Sequence, residues 1–525
     1  MENYLWCDAL CIVQDDENKH EELANMASIY ANASLTIIAA NGEDANYGLL
    51  GLPGISGPRS CHTKTWSLGE FLKLQQVPGA HATGPSRSTS SIWKSRAWTW
   101  QEGLFSRRQL IFHDDMVSWQ WAHGARHEHV FWPSESVWAG PRFFSLVHGA
   151  PSSSFTNRIP DMDSVFRLIR SFNVLDFSYP EDALTAFAGI MTAVGRSCDG
   201  GFISGLPALY FNLALLWNAS GISRRRVSRN PTRNSCLPSW SWAGWESGID
   251  FISFDLYDHD AVKTLGGPIR SDIVWRHHQA YNDEGTAINF SWLLHRTRFL
   301  NDTSEPAPPG WTRYDTYSFG QWLRFCRTCE RVVRTRDNHR YPNAHADFPM
   351  CVSDYHDRHT CQDSFGRMRV IYTHSSQPGA VFKFLVPVPE KDYVPPIVYS
   401  SFISCTTWRA WFQAGEPKRP ARYAITGCGD NPDVVGYLEP QVDVSPSDRL
   451  ELIELALGPI SVPWSEYDEL ANLRYVKSLG DHTVEVYYVM WIKWQDGIAY
   501  RQGIGSIFKE VWETTEKEEV HVMLG

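Results

Sequence analysis

A chain of 525 residues with 43% hydrophobic and 13% aromatic side chains can build sizeable cores in two or three domains, and 20% charged content is too little for long disorder. The formal net charge of −11 argues against nucleic acid as the main partner, because phosphate binding calls for a basic surface. No stretch supplies the roughly 20 apolar residues of a membrane span, and the longest run, Leu206–Trp217, is broken by Asn212.

Tyr4-Leu5-Trp6-Cys7-Asp8 reads as a buried strand ending in a carboxylate, with Asp15 or Asp16 to cap the next helix. In that helix Leu23, Met26, Ala27 and Tyr30 fall at i, i+3, i+4 and i+7 and form one apolar face. Leu35–Ala40 is nearly all apolar, as a strand covered on both faces should be. Strand, helix and strand in this order predict a βαβ unit in a parallel sheet. Residues 42–91 are rich in Gly, Pro and Ser and predict a long loop with a short helix around Leu68–Leu74. Trp93, Ala97, Trp100 and Leu104 then share one helical face. Gln109–Phe112 and Met116–Trp121, joined at His113-Asp114-Asp115, predict a hairpin in which Val117, Trp119 and Trp121 alternate as on a half-buried strand.

From Asp163 to Trp217 the pattern is helical, with Val165, Leu168, Ile169 and Phe172 on one face, and Ser220–Leu237 reads as a loop. Within that loop the run Arg224-Arg225-Arg226, with Arg229 and Arg233, reads as a solvated linker. Beyond Asp250 short apolar stretches dominate, with strands expected at Val381–Val388, Tyr423–Thr426, Val484–Trp494 and Ile498–Arg501. Gln495-Asp496-Gly497 suits a hairpin turn between the last two. The twenty-three tryptophans predict a packed core in which each indole N–H needs a polar partner. Eleven scattered cysteines and the lack of a basic, apolar leader at Met1–Ile12 predict reduced thiols in a cytoplasmic protein.

Tyr4-Leu5-Trp6-Cys7-Asp8-Ala9-Leu10-Cys11-Ile12-Val13-Gln14-Asp15 resembles the block Y-[LIV]-W-[ILV]-D-[AS]-L-C-I-x-Q-D of the fungal heterokaryon incompatibility (HET) domain. Arg96-Ala97-Trp98-Thr99-Trp100-Gln101-Glu102, followed by Ser106-Arg107-Arg108, is similar to that family's R-[AG]-W-T-x-Q-E…S-R-R block. Downstream, Asp182–Gly189, Leu237–Trp245 and Met490–Arg501 resemble segments common in the extensions of such proteins. The family pattern begins earlier, with an S-Y-x-W-G block, so the resemblance implies a partial domain whose first strand is missing. The domain expected is residues 1–130, followed by a helical extension at 160–250 and a β-rich region at 251–525.

The resemblance implies an allorecognition protein that triggers programmed cell death, acting with a protein partner in self/non-self recognition and by self-association. The HET domain has been likened to the Toll/interleukin-receptor (TIR) domain, a flavodoxin-like α/β fold. Some TIR domains cleave NAD with a helical glutamate, so the expected fold is α/β with a flavodoxin/TIR-like parallel sheet. NAD enters as a substrate, with no cofactor. The alternative class is a non-enzymatic module that recruits an effector, or an inactive paralogue.

Cleavage of a glycosidic bond to ribose needs a carboxylate that meets developing positive charge. Glu102 is the candidate, four residues after Trp98 on one helical flank; the other reading is that it pairs with Arg96, Arg107 or Arg108. Asp8 is the second, either at a strand's carboxyl end where ligands bind in open sheets or as an acceptor of loop N–H groups. Gln14 and Gln101 are amides for the same cleft, and Trp98 would line it. Cys7 and Cys11 read as buried small hydrophobes. Cys326-x-x-Cys329, with His339, His345, Cys351, His356, His359 and Cys361 downstream, offers only one tight ligand pair, so no metal site is expected.

Overall fold

The computed structural model describes residues 4–13, 19–40, 42, 44–58, 65–67, 73–75, 92–113, 117–121, 124–128, 158–159, 162–221, 223–229, 237–251, 269–288, 306–315, 323–326, 331–334, 370–376, 386–419, 421–427, 433–461 and 483–525. The chain divides into two compact units, one of residues 1–155, 167–193 and 228–233, the other of residues 156–166, 194–227 and 234–525. Helices and strands occur in both, and the C-terminal region is β-rich.

The first unit opens with α1 (Asp8–Cys11) and α2 (Lys19–Asn32). The strand expected at Tyr4–Asp8 is absent: Tyr4–Cys7 is irregular and Asp8 starts α1. Tyr4 is 96% exposed, and α1 is held by Leu10 and Cys11 N–H groups donating to the Cys7 carbonyl. A strand needs a neighbouring ladder for its backbone groups; among the described residues no strand pairs with this segment, and the Cys7 and Asp8 carbonyls are taken up by the turn of α1 instead.

The parallel neighbour of β1 (Thr36–Ala39) lies elsewhere in the sequence. A two-stranded ribbon of β2 (Thr65–Ser67) and β3 (Lys73–Gln75) intervenes, so Lys73 and Leu74 are strand rather than the expected helix. After α3 (Ile92–Ser95) and α4 (Ala97–Phe105), β4 (Arg108–Phe112) runs parallel to β1, pairing Thr36 with Gln109 and Ala39 with Phe112. β5 (Val117–Trp121) and β6 (Gly124–His127) follow antiparallel, giving a mixed sheet ordered β1-β4-β5-β6. The predicted hairpin is thus present at β4–β5. On β5, however, Ser118 and Gln120 face the more buried side while Trp119 and Trp121 stay half-buried.

The single helix expected from Trp93 to Leu104 is two, broken at Arg96. A passing segment breaks it by hydrogen bonding there: Asp176 N–H donates to the Ser95 carbonyl at 2.7 Å, and Ala97 N–H donates to the Asp176 carbonyl at 3.1 Å. Trp93 packs on the core of Ile38, Ala40 and Ile111. On α5 (Met162–Asn173) the predicted face of Val165, Leu168, Ile169 and Phe172 is buried, and Phe172 lies 5.4 Å from Trp100 and 4.9 Å from Phe187 between ring centroids. Phe187 belongs to α6 (Ala183–Gly195), whose Gly189 is a close-approach point: a Cβ there would lie 2.4 Å from the Ala27 Cβ and 2.6 Å from Gln101 Nε2.

In the second unit the Leu237–Trp245 segment belongs to the core, with Trp240, Trp242 and Trp245 fully buried. Two of them have the polar partner an indole N–H requires, Trp242 donating to the Gly205 carbonyl and Trp245 to that of Ser239, and Trp217 donates to the Trp240 carbonyl; the Trp240 N–H itself has no partner among the described residues. The arginine run is no solvated linker. Arg224–Arg225 is a strand paired with Trp245–Glu246; Arg225 donates to the Gly244 and Leu237 carbonyls and stacks on Trp245. Arg226 is buried and donates to the Ala243 carbonyl. Carbonyls left bare by a loop around three tryptophans are what these guanidiniums satisfy.

The C-terminal region closes on itself. β7 (Phe402–Arg419), β8 (Arg422–Thr426), β9 (Val434–Pro440), β10 (Arg449–Ser461), β11 (Thr483–Gln495) and β12 (Ile498–Phe508) form an antiparallel ring in the order β7-β8-β9-β12-β11-β10, and β10 pairs back onto β7. A last strand, β13 (Glu518–Leu524), joins β7 to β12. The expected strands at Tyr423–Thr426, Val484–Trp494 and Ile498–Arg501 all lie in this barrel. Asp496 (φ 52°) and Gly497 (φ 78°) make the two-residue turn, both in the left-handed region that a type I′ hairpin demands.

Arg501, on β12, is fully buried, donating to the Leu215 and Trp217 carbonyls and to Gln441 Oε1, with its guanidinium 3.7 Å over the Trp217 ring. Val381–Val388 falls mostly outside the described residues, as do Cys329, Cys351, Cys361 and the histidines considered with them as metal ligands. Among the described residues no helix is long and apolar enough to cross a membrane.

Candidate functional site

Three helices of the first unit converge on Glu102. The face of α2 that buries Met26 and Ala27 carries Tyr30 on the same side, one turn further on. The α3–α4 corner is tied by Thr99 Oγ1, which donates to the Trp93 and Arg96 carbonyls and thereby fixes Trp93 beside α4. Glu102 projects from α4 into the space between them, partly buried. The Tyr30 hydroxyl and the Trp93 indole N–H both hydrogen-bond its carboxylate. Trp6 packs edge-on against Tyr30 with centroids 5.4 Å apart, which brings α1 and Asp8 to the same place.

Burial is the main influence on this carboxyl and raises it from 4.5 to about 7. The nearby charge of Asp8 pushes in the same direction. The Tyr30 hydrogen bond, the more distant Arg96 charge and the Trp93 hydrogen bond pull it down, but only in part. Tyr30 is itself raised, by burial first and then by the charges of Glu102 and Asp8. The result is an acid that titrates near neutrality, between two neutral donors and facing a second carboxylate. Such a group can hold or release a proton at physiological pH, which an ordinary surface glutamate cannot.

Among the described residues, no cation lies within ion-pair distance of Glu102. Arg107 and Arg108 are exposed, and Arg108 reaches instead toward the Ser34 carbonyl at 3.4 Å. Asp8 sits at the start of α1 rather than at the end of a strand, exposed, with Oδ1 accepting the Ala9 N–H at 2.8 Å. The indole hydrogen-bonded to Glu102 is Trp93, while Trp98 is half-buried elsewhere on α4.

Gln101 is turned away toward α6: it is 2% exposed, next to Gly189, and its amide has no partner among the described residues. Gln14 lies outside the described residues. Cys7 and Cys11 are not buried hydrophobes; Cys7 is partly exposed and Cys11 exposed, because α1 buries none of its residues.

In the sequence, Tyr30 and Trp93 read only as members of apolar faces. Their signal was the polar tip each carries, since a buried hydroxyl or indole N–H must find an acceptor. The geometry supplies Glu102 as that acceptor for both.

Residues 1–102 match the family model described as Heterokaryon incompatibility protein (HET), a match that spans α1, α2, β1 and α3 and ends on Glu102. No curated protein and no solved structure matches the chain.

Proposed function

We propose, from the HET domain at residues 1–102, that this is a fungal incompatibility protein whose recognition of non-self ends in cell death, with Glu102 cleaving the nicotinamide–ribose bond of NAD. A protein partner and self-association switch it on in the cytoplasm. The observation that carries the reading is Glu102 itself: a partly desolvated carboxyl raised to about 7, free of ion pairs among the described residues and faced by Asp8. As nicotinamide departs, positive charge develops on the ribose, and an ionised carboxylate in a partly dry site stabilises it more than water would. Tyr30 and Trp93 hold the carboxylate in one orientation, so little reorganisation is left for the reaction itself. The parallel β1–β4 pair, with α3 and α4 in its crossover, supports a TIR-like relation for the domain.

The test is incubation of the purified full chain with NAD and measurement of released nicotinamide, beside Glu102→Gln. The reading expects release that rises with pH through about 7, where Glu102 ionises, and that falls at least a hundredfold in the variant. Cell death that persists undiminished with folded Glu102→Gln would overturn the enzymatic reading and favour a surface that recruits another effector.

A further inference from the structure

α1 is a single exposed turn with a cysteine at each end. Cys7 is its N-cap, in extended conformation, and Cys11 is its last residue. Cys11 Sγ lies 3.5 Å from the Cys7 backbone nitrogen, so the two side chains start from one side of the same turn. Residues four apart in a helix are separated by about 6 Å between Cα atoms, inside the range that a disulfide spans, while their Cβ atoms, about 5–6 Å apart, must approach by about 1 Å. Neither thiol is walled in, and α1 buries none of its residues, so the turn can adjust to the bond. In contrast, Cys198 and Cys405 are buried.

The turn also adjoins the site. Cys7 Sγ approaches Asp8 Oδ1 at 3.8 Å, Trp6 packs on Tyr30, and both Asp8 and Cys7 act electrostatically on the Tyr30 hydroxyl. We propose that Cys7 and Cys11 are a redox pair that closes to an intramolecular disulfide on exposure to a peroxide, fixing α1 and the charge of Asp8 across from Glu102. As regulation of that carboxyl, this rests on the function proposed above; as chemistry, it does not.

The exposed Cys11 thiolate attacks one peroxide oxygen; the O–O bond breaks, hydroxide leaves, and Cys11 becomes a sulfenic acid. The Cys7 thiolate then attacks that sulfur, forming the S–S bond and expelling a second hydroxide. The two hydroxides take up the two thiol protons as water. Two thiols are oxidised by two electrons and one peroxide is reduced.

The experiment treats the full folded chain with one equivalent of hydrogen peroxide, blocks remaining thiols under denaturing conditions, and maps the peptides by mass. A Cys7–Cys11 link should be the dominant product, reversed by dithiothreitol and absent from Cys7→Ser and Cys11→Ser. In Cys7→Ser, Cys11 should instead accumulate as sulfenic or sulfinic acid. Amide exchange over residues 26–32 should slow on oxidation of the wild type and stay unchanged in both variants. Cys7 and Cys11 recovered as free thiols, or linked to other cysteines, would overturn the proposal. So would a link that leaves exchange at Tyr30 untouched. Because the link is read chemically, a failure to cleave NAD leaves the result intact and is told apart from it.

Discussion

Burial and the charge of Asp8 make ionisation of Glu102 unfavourable in the folded chain, and this has a measurable sign. The folded carboxyl titrates at about 7 against an ordinary 4.5, so folding favours its protonated form. That contribution is fully present below about pH 4.5 and is lost as pH rises through about 7, a change of up to roughly 3 kcal/mol. Glu102→Gln should therefore flatten the pH dependence, and urea melts should find the variant more stable than wild type at pH 8. Tyr30→Phe removes a donor that lowers this carboxyl, so the pH midpoint of the proposed nicotinamide release should move up by about one unit. An unmoved midpoint would show that the hydroxyl does not hold the carboxylate. The sequence points to Glu102 as a candidate through its block. Tyr30 and Trp93 were hidden in periodicity, which reports which side of a helix is apolar and nothing about where two polar tips meet.

Local pairings were the legible elements. The β4–β5 and β11–β12 hairpins follow from alternation and turn residues a few positions apart, and the buried face of α5 follows from its spacing. The parallel partner of β1 was misplaced because apolar runs at Tyr4–Asp8 and Gln109–Phe112 look alike, and only tertiary pairing separates them. The break at Arg96 was equally invisible, since its cause is a segment some eighty residues on in the sequence, at Asp176. Helix–helix contact makes its own prediction. Gly189→Ala places a Cβ 2.4 Å from that of Ala27 and 2.6 Å from Gln101 Nε2, so α2, α4 and α6 must part. A loss of about 1–3 kcal/mol is expected in chemical denaturation, despite alanine's better helix propensity. A neutral or stabilising result would mean that the three helices have slack at this point.

On the scale of the whole chain, Arg501 joins segments far apart in sequence, through the Leu215 and Trp217 carbonyls, Gln441, and a backbone N–H donated to Ser239. Arg501→Ala would leave buried acceptors bare, and Arg501→Lys would lack the planar fork that serves them together. Both should cost about 3–5 kcal/mol, seen as an earlier urea midpoint. The ring of β7, β8, β9, β12, β11 and β10 differs from the sheet of the first unit, where among the described residues β1 pairs with β4 alone. A sheet with an end can fray strand by strand, each step cheap. A ring has no last strand to lose, so the first separation must break an interior pair at full cost before any chain entropy returns. The height of that barrier governs lifetime rather than equilibrium. Where proteases act on whatever opens first, the strands of this ring should be among the last pieces of the chain to disappear.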